Sequence, residues 1–140
     1  MISVVSAEDI EAIKALKARY FRLMDTKQWD EFAEIFAEDL EFEAPDDARA
    51  PIVRGRDRFV SDVSTILEGA TTVHHGHMPE IELTGPDTAR GTWSMEDIVQ
   101  FADGSGIHGY GHYTEEYARV DGQWRIRRMV LTRLRRDALG

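Results

Sequence analysis

The chain has 140 residues, the length of one ordinary domain, and a formal net charge of −9 from 17 Lys and Arg against 26 Asp and Glu. Binding to nucleic acid requires a basic surface that displaces phosphate counterions, so this balance argues against a nucleic-acid partner and equally against an anionic membrane surface. The chain has no cysteine, which excludes a disulfide framework, a cysteine nucleophile and a thiolate metal site. The chemistry must therefore come from His, carboxylates, Tyr and Arg.

No segment approaches the ~20 consecutive apolar residues of a membrane span. The first residues lack a basic region and become acidic at Glu8, before the apolar core of a signal peptide could form. No linker or internal repeat divides the chain. We therefore expect a cytoplasmic protein with one domain over residues 1–140.

The first half of the chain has helical periodicity. A first helix is predicted to begin at a capping box of Ser6 and Asp9, a second short helix follows it, and a third lies between Gly55 and Gly69. Residues 40–43 alternate like a short strand. The apolar positions of the three helices are Ile10, Ile13, Leu16, Tyr20 and Leu23, then Trp29, Phe32, Ile35 and Phe36, then Phe59, Val63, Ile66 and Leu67.

From residue 71 the apolar pattern changes to period 2, which predicts four long strands at 71–84, 88–102, 107–120 and 123–135. Asp121-Gly122 between the last two is a strong signal for a two-residue hairpin turn. Helices followed by antiparallel strands indicate an α+β fold. A long sheet with one apolar face must curl over the helices, so we expect a cone-shaped α+β barrel, with three N-terminal helices packed in a strongly curved, mostly antiparallel sheet around an internal pocket.

One carboxylate lies on the apolar face of the strand 88–102. Asp97 has the same parity as Trp93 and Met95, and a buried charge must be paired, hydrogen-bonded or neutral. A structural role for Asp97 and a role in a site both remain open. Arg133 has the phase of the apolar residues of the last strand, so it could neutralise Asp97 or bind a substrate oxygen.

Two further polar residues are candidates on the first helix. Tyr20 lies on the apolar stripe, so its hydroxyl is directed into the core, where a buried Tyr usually finds a partner. Asp25 follows at the end of the helix, where a carboxylate can accept a hydrogen bond from an imidazolium. Taken singly, Tyr20 is equally explained by packing and Asp25 by a solvated turn.

Three of the five histidines fall within four residues, at His74, His75 and His77. His75 and His77 could share a strand face and bind a metal, but the spacing supplies no third ligand, and His112 or Asp97 would have to be recruited from across the sheet. A His that acts as a general base needs only one imidazole and a carboxylate to orient it. We therefore interpret the cluster as incidental and predict no metal site.

The phase of this strand decides which histidine faces the core. His75 is in phase with Ile81, whereas His74 is not, so simple alternation favours His75. A bulge marked by Gly76 and Pro79 would reset the phase. Alternation alone leaves the choice open.

Several short motifs occur in a characteristic order: Ala18-Arg19-Tyr20-Phe21 with Asp25 and Trp29-Asp30, His74-x-Gly76-His77-x-Pro79-Glu80-Ile81, Ala89-Arg90-Gly91-Thr92-Trp93 with Asp97, and Tyr113-Thr114-x-x-Tyr117 with Asp121-Gly122-Gln123-Trp124. Over about residues 8–135 the chain resembles the SnoaL-like proteins, which share the cone-shaped fold of nuclear transport factor two. Within that superfamily it is most similar to bile acid 7α-dehydratases and more distantly to scytalone dehydratase. The chain is shorter at both ends and has Gly111-His112 at positions where the dehydratases carry less polar residues, so the substrate stays open.

The resemblance implies a catalytic set of Tyr20, Asp25, His74, Asp97 and Arg133, with no metal and no organic cofactor. Pro79, five residues downstream, aligns the family's histidine with His74 rather than with His75. The implied reaction removes water from, or adds it to, a hydrophobic, ring-bearing carbonyl substrate of steroid or polyketide type. Trp29, Phe42, Trp93 and Phe101 are expected to surround that substrate.

In the implied mechanism, Asp25 fixes the tautomer of His74, which takes a proton from carbon. Tyr20 stabilises the enolate, and Asp97, held by Arg133, assists the leaving hydroxyl. Two alternatives remain: a non-catalytic ligand-binding or assembly module of the same fold, and an isomerase or cyclase that uses the same pair. The resemblance also implies a homo-oligomer, either a dimer or a trimer.

Overall fold

A computed structural model describes residues 4–47 and 51–140. The helices and strands alternate early and give way to strands alone, which confirms the predicted α+β class. In chain order the elements are α1 (Val4–Asp25), α2 (Trp29–Glu34), β1 (Phe36–Glu43), β2 (Val53–Arg54), α3 (Arg56–Ile66), β3 (Thr71–Gly85), β4 (Thr88–Gln100), β5 (Gly106–Val120) and β6 (Gln123–Leu139).

The six strands form one curved sheet in the order β2-β1-β6-β5-β4-β3. The four long strands pair antiparallel in succession, as predicted, whereas β1 pairs parallel with β6. Because β2 and β3 are edge strands, the sheet is open rather than closed into a barrel. The arrangement is the expected cone, with helices packed against the concave side of a mixed sheet.

The predicted hairpin at Asp121-Gly122 is confirmed. Asp121 has φ 51° and Gly122 has φ 79°, and Val120 pairs with Gln123 on either side of them. Two successive residues with positive φ give a turn whose twist matches that of the flanking strands. This turn sets the register of β5 against β6.

The helical stripe of α1 is buried as expected at Ile13, Leu16, Tyr20 and Leu23. The predicted helix start is wrong, because α1 already includes Val4 and Ser6 therefore lies inside the helix. Asp9 has a different role from capping. Its carboxylate accepts a hydrogen bond from Trp124 Nε1 at 3.1 Å and pairs with Arg119 at 3.0 Å, which links α1 to the β5–β6 hairpin.

Two apolar positions in the shorter helices differ from the prediction. Phe36 is buried, but it belongs to β1 rather than to α2. Ile66 is 63% exposed, because Leu67, one residue on, covers the core at the end of α3. None of the helices in the described part of the chain has both the length and the apolar character needed to cross a bilayer.

Candidate active site

A bulge in β3 decides which of the clustered histidines faces the core. His77 pairs with Ser94, but the next pair joins Glu80 to Thr92, so β3 contains one more residue than β4 over this stretch. The extra residue is accommodated at Met78, which has φ 35° and is 92% exposed. Such bulges leave one residue unpaired and change the phase of the strand.

The phase change resolves the conflict over the histidines. Before the bulge, Thr72 and His74 are buried, and after it the inward phase passes to Ile81. His74 is 8% exposed, whereas His75 and His77 are exposed on the outer face. Simple alternation, which favoured His75, is therefore wrong because it counts across the bulge.

His74 is held by the carboxylate of Asp25, the last residue of α1. Oδ1 of Asp25 lies 2.7 Å from His74 Nδ1 and accepts a hydrogen bond from Thr72 Oγ1 at 2.8 Å. Oδ2 accepts the backbone N–H of His74 at 2.8 Å. Because an ionised carboxylate only accepts hydrogen bonds, the neutral ring carries its proton on Nδ1 and leaves the lone pair of Nε2 free.

The free nitrogen of His74 faces a second carboxylate. His74 Nε2 lies 3.9 Å from Oδ2 of Asp97, which is 2% exposed. Arg133 donates two hydrogen bonds to Asp97, one to each oxygen, both at 2.9 Å. These bonds raise the pKa of Arg133 above its ordinary value, so the pair is ionic. The expectation that Arg133 neutralises Asp97 is confirmed.

Tyr20 is connected to this group through Tyr113. Its hydroxyl lies 3.4 Å from that of Tyr113, and both rings are buried. Burial, followed by the contact with Tyr113, raises the pKa of Tyr20 well above 10.0, and the charge of Asp97 contributes. Tyr20 is therefore a neutral hydroxyl near pH 7, and it donates its hydrogen bond to Tyr113.

A buried ion pair lies next to these tyrosines, and the sequence analysis missed it. Lys17 Nζ contacts Glu115 Oε2 at 2.6 Å, and both side chains are fully buried. The ammonium lies 3.6 Å above the ring of Tyr20 and 3.7 Å above that of Tyr113, a cation–π arrangement. Burial lowers the pKa of Lys17 from 10.5 to about 8, although Glu115 opposes this shift.

The second oxygen of Glu115 is also bonded. Oε1 accepts the hydroxyl of Tyr117 at 2.7 Å, and Trp93 Nε1 donates to that hydroxyl at 2.9 Å. The parity argument that singled out Asp97 would also have found Glu115, which lies between Tyr113 and Tyr117 on the apolar face of β5. The helical spacing of α1 would likewise have placed Lys17 on the buried stripe, one turn before Tyr20.

The Asp25–His74 pair, called the dyad from here on, has an aromatic ring packed against its histidine. The ring of Phe21 stacks over that of His74, with centroids 6.4 Å apart and planes at 15°. Gly76 makes this packing possible, because a Cβ there would lie 2.6 Å from the Phe21 ring. Of the aromatic residues expected around a substrate, Trp93 is buried, whereas Phe101 lies beyond the end of β4 and is 38% exposed.

Two cavities in the described structure lie away from these residues. One of about 750 Å³ is lined by α1, α2 and the β5–β6 turn, including Asp9 and Trp124. Another of about 370 Å³ lies between α3 and β1–β2 and includes Phe42 and Phe59. None of the five predicted site residues lines either cavity. Neither cavity is therefore the expected internal pocket around the dyad.

The outer face of β3 carries a second group of polar side chains. His75 and His77 come close to Glu96 of β4, with one donor atom from each residue within 4.8 Å of the others. The spacing of the histidines had left His112 or Asp97 as the missing third group, and the structure supplies Glu96 instead. These are residue types that bind transition metals.

Comparison with known proteins agrees with this fold. The family model described as SnoaL-like domain matches residues 5–130. Probable cyclase FGR4 of Gibberella zeae is 26% identical over 93% of this chain and 94% of its own length.

Two solved structures are similar in their backbones. A scytalone dehydratase-like protein from Novosphingobium aromaticivorans superimposes with a TM-score of 0.84 at 23% identity, over 94% of this chain and 87% of that one. Hexachlorocyclohexane dehydrochlorinase LinA-type3 from Novosphingobium barchaimii gives a TM-score of 0.81 at 20% identity, over 96% and 92%. At these identities the likeness establishes the fold.

Proposed function

The chain belongs to the family of SnoaL-like domains, and we propose that it is a cofactor-independent lyase, which removes water from, or adds it to, a hydrophobic carbonyl compound. One observation carries the proposal. Asp25 holds His74 through Nδ1 at 2.7 Å, and the free Nε2 faces the Asp97–Arg133 pair at 3.9 Å. A histidine oriented by one carboxylate, with its second nitrogen free, is the arrangement of a general base.

In the proposed reaction, Nε2 of His74 takes a proton from the carbon next to the substrate carbonyl. The electrons of that C–H bond pass to the carbonyl to form an enolate, and the enolate then forms the new C=C bond as the C–O bond to the hydroxyl breaks. The imidazolium then returns its proton to the departing oxygen, so water leaves and the site regains its starting protonation. Asp25 stabilises the imidazolium, and positioned proton transfer of this kind contributes ~10²–10⁴-fold to the rate.

The other three residues act on the oxygens of the substrate. Tyr20, which burial keeps protonated, donates a hydrogen bond to the developing enolate oxygen. Asp97 accepts a hydrogen bond from the leaving hydroxyl, and Arg133 holds Asp97 in place. The carbonyl of the substrate is itself the electron sink of this reaction.

The proposed reaction requires a substrate carbon close to His74. A reacting carbon must approach to ~3–3.5 Å of the base, and a carbon lying between Nε2 and Asp97 Oδ2, now 3.9 Å apart, would have to separate these two atoms. Phe21, stacked on His74, borders one face of the ring. Its aromatic surroundings favour a ring-bearing substrate, and the resemblance to bile acid 7α-dehydratases favours a steroid- or polyketide-like compound with water as the leaving group.

A second candidate is an isomerase or cyclase that uses the same dyad. The relative from Gibberella zeae, whose name describes a cyclase, supports it. Proton abstraction is common to both reactions, and they differ in whether a group leaves. The mass of the product separates them, because elimination loses one water and isomerisation loses nothing.

The test is to incubate the protein in D₂O with a panel of steroid and polyketide β-hydroxy ketones and to follow the products by mass spectrometry. We expect loss of water and deuterium exchange at the carbon next to the carbonyl. His74→Ala and Asp25→Asn should abolish both, whereas His112→Ala, on the outer face, should retain them. Full turnover by both His74→Ala and Asp25→Asn would rule out a catalytic role for the dyad. Binding of a panel compound without exchange or turnover would identify a ligand-binding module.

The resemblance further supports a homo-oligomer, either a dimer or a trimer. Light scattering of the purified protein measures its mass directly. A mass of one 16.0 kDa chain would contradict the proposed assembly.

A further inference from the structure

We propose that His75, His77 and Glu96 form a binding site for a Zn²⁺ ion on the outer face of the sheet. His75 and His77 are two residues apart on β3, so both project from the same face. Glu96 is the residue of β4 that pairs directly with His75. One donor atom from each of the three residues lies within 4.8 Å of the other two.

The position of the bulge creates this group. Because the phase of β3 changes only after His77, His75 and His77 both keep the outward phase, while His74, just before them, faces the core. The two outer rings have centroids 6.1 Å apart and planes at 69°. Directly paired residues of neighbouring strands have Cβ atoms ~4.5–5.5 Å apart, which brings the Glu96 carboxylate alongside His75.

The donor set suits a transition metal. Imidazole nitrogen and carboxylate oxygen bind Zn²⁺ at ~2.0–2.2 Å, which places tetrahedral ligand atoms ~3.4 Å apart. The present separations, up to 4.8 Å, exceed that value, so these side chains, which are exposed or half-buried, would rotate when the ion binds. Three protein ligands leave one position of a four-coordinate ion open to water.

The carboxylate ligand is already held in place. Oε2 of Glu96 lies 2.6 Å from His108 Nε2, and the ring of His108 stacks on Tyr110 with centroids 4.9 Å apart. A hydrogen bond from outside the ligand set orients a ligand and strengthens metal binding. His108 is thus a positioning residue for Glu96, and its removal should weaken binding without removing a ligand.

The site is separate from the dyad. His74 directly precedes His75 along β3, but its ring is on the opposite face of the sheet, bonded to Asp25. Zinc binding on the outer face therefore requires no change in the proposed elimination chemistry. The variants that test the two sites are different, so each proposal can fail without the other.

The test is calorimetric titration of Zn²⁺ into the full chain, prepared without a polyhistidine tag and treated with a chelator. We expect one ion per chain. His77→Ala and Glu96→Gln should lose more affinity than the ~10–100-fold typical of removing an outer partner, and His108→Ala should lose ~10–100-fold. His112→Ala, which removes a histidine of the same face outside the group, should bind as the wild type does.

Circular dichroism of each variant ensures that a loss of affinity does not reflect unfolding. Substituting Co²⁺ for Zn²⁺ provides a second readout, because a four-coordinate site with nitrogen and oxygen ligands gives visible absorption bands. The proposal is overturned if the wild type does not bind Zn²⁺, or if His77→Ala and Glu96→Gln bind it as tightly as the wild type. An equal loss of Zn²⁺ affinity in His112→Ala would also overturn it, since the ion would then bind nonspecifically to the histidines of the outer face.

Discussion

Gly109 lies directly opposite Asp97 in the β4–β5 pair, and its missing side chain leaves the space in which Arg133 reaches Asp97. A Cβ at position 109 would lie 2.5 Å from Asp97 Oδ1 and would overlap the guanidinium of Arg133. The ionic pair that stabilises the buried carboxylate therefore depends on a glycine in a third strand.

Replacing this glycine should break the pair. In Gly109→Ala the new methyl group displaces Arg133, and losing one partner of a buried ion pair costs about 3–5 kcal/mol. We expect a loss of that order in the free energy of unfolding, measured by urea denaturation. In an Asp97→Ala, Arg133→Ala background the same substitution meets neither atom and should cost much less. Equal losses in both backgrounds would mean that the glycine has another role.

Lys17 should matter for the stability of the core because of Glu115. Lys17→Met leaves a fully buried carboxylate without its partner, which costs about 3–5 kcal/mol. Lys17→Met with Glu115→Gln removes both charges and keeps an acceptor for Tyr117, so it should recover most of the loss. The exposed pair of Lys14 and Glu11 in the same helix is the matched control.

The control has a small expected effect. Lys14→Met should change the free energy of unfolding by less than about 1 kcal/mol, because solvent screens exposed pairs. A similar loss from Lys14→Met and Lys17→Met would show that the lysines act through the helix rather than through the buried pair. Chemical denaturation of all four proteins provides the comparison.

Stability should depend on pH in two opposite ways. The folded chain releases the Lys17 proton at about pH 8, whereas the unfolded chain keeps it to 10.5. Between these values the unfolded state binds more protons, so the free energy of unfolding should rise with pH. The Lys17→Met, Glu115→Gln variant lacks this group and should lack the rise. A rise of equal size in that variant would assign it to another residue.

Above pH 10 the buried tyrosines reverse the trend. Burial raises the pKa of Tyr20, Tyr113 and Tyr117 above 10.0, so the unfolded state loses these protons first and stability should fall. Near-ultraviolet absorbance should show that three of the four tyrosines ionise only as the protein unfolds. Ionisation of these three in the folded state would contradict their burial.

The tautomer of His74 tests the dyad without a substrate. Because Asp25 accepts from Nδ1, the neutral ring should carry its proton on Nδ1, which nitrogen-15 NMR detects. Asp25→Asn replaces the accepting carboxylate and should remove this preference, whereas His75, exposed on the other face, should be unaffected. A wild-type ring protonated on Nε2 would be incompatible with a general base at that nitrogen.

The limits of sequence-based prediction are clearest in β3 and α1. Pro79 led the family motif to His74, but alternation led to His75, because an extra residue at a bulge is invisible to a count by twos. Lys17 was overlooked because a lysine on an apolar stripe has no local partner. Its partner, Glu115, lies 98 residues further along the chain. The catalytic roles of the five residues at the dyad stay predictions.

Periodicity and turn chemistry depend only on neighbouring residues, so the sequence alone determined several features. These are the helical stripe of α1, the hairpin at Asp121-Gly122, the inward parity of Asp97 and the α+β class. Only the tertiary structure decided that His74 faces the core, that Glu96 joins His75 and His77, and that Phe21 stacks on His74. These facts depend on the register between strands and on the packing of a helix against a sheet. Both are set by contacts between residues far apart in the chain.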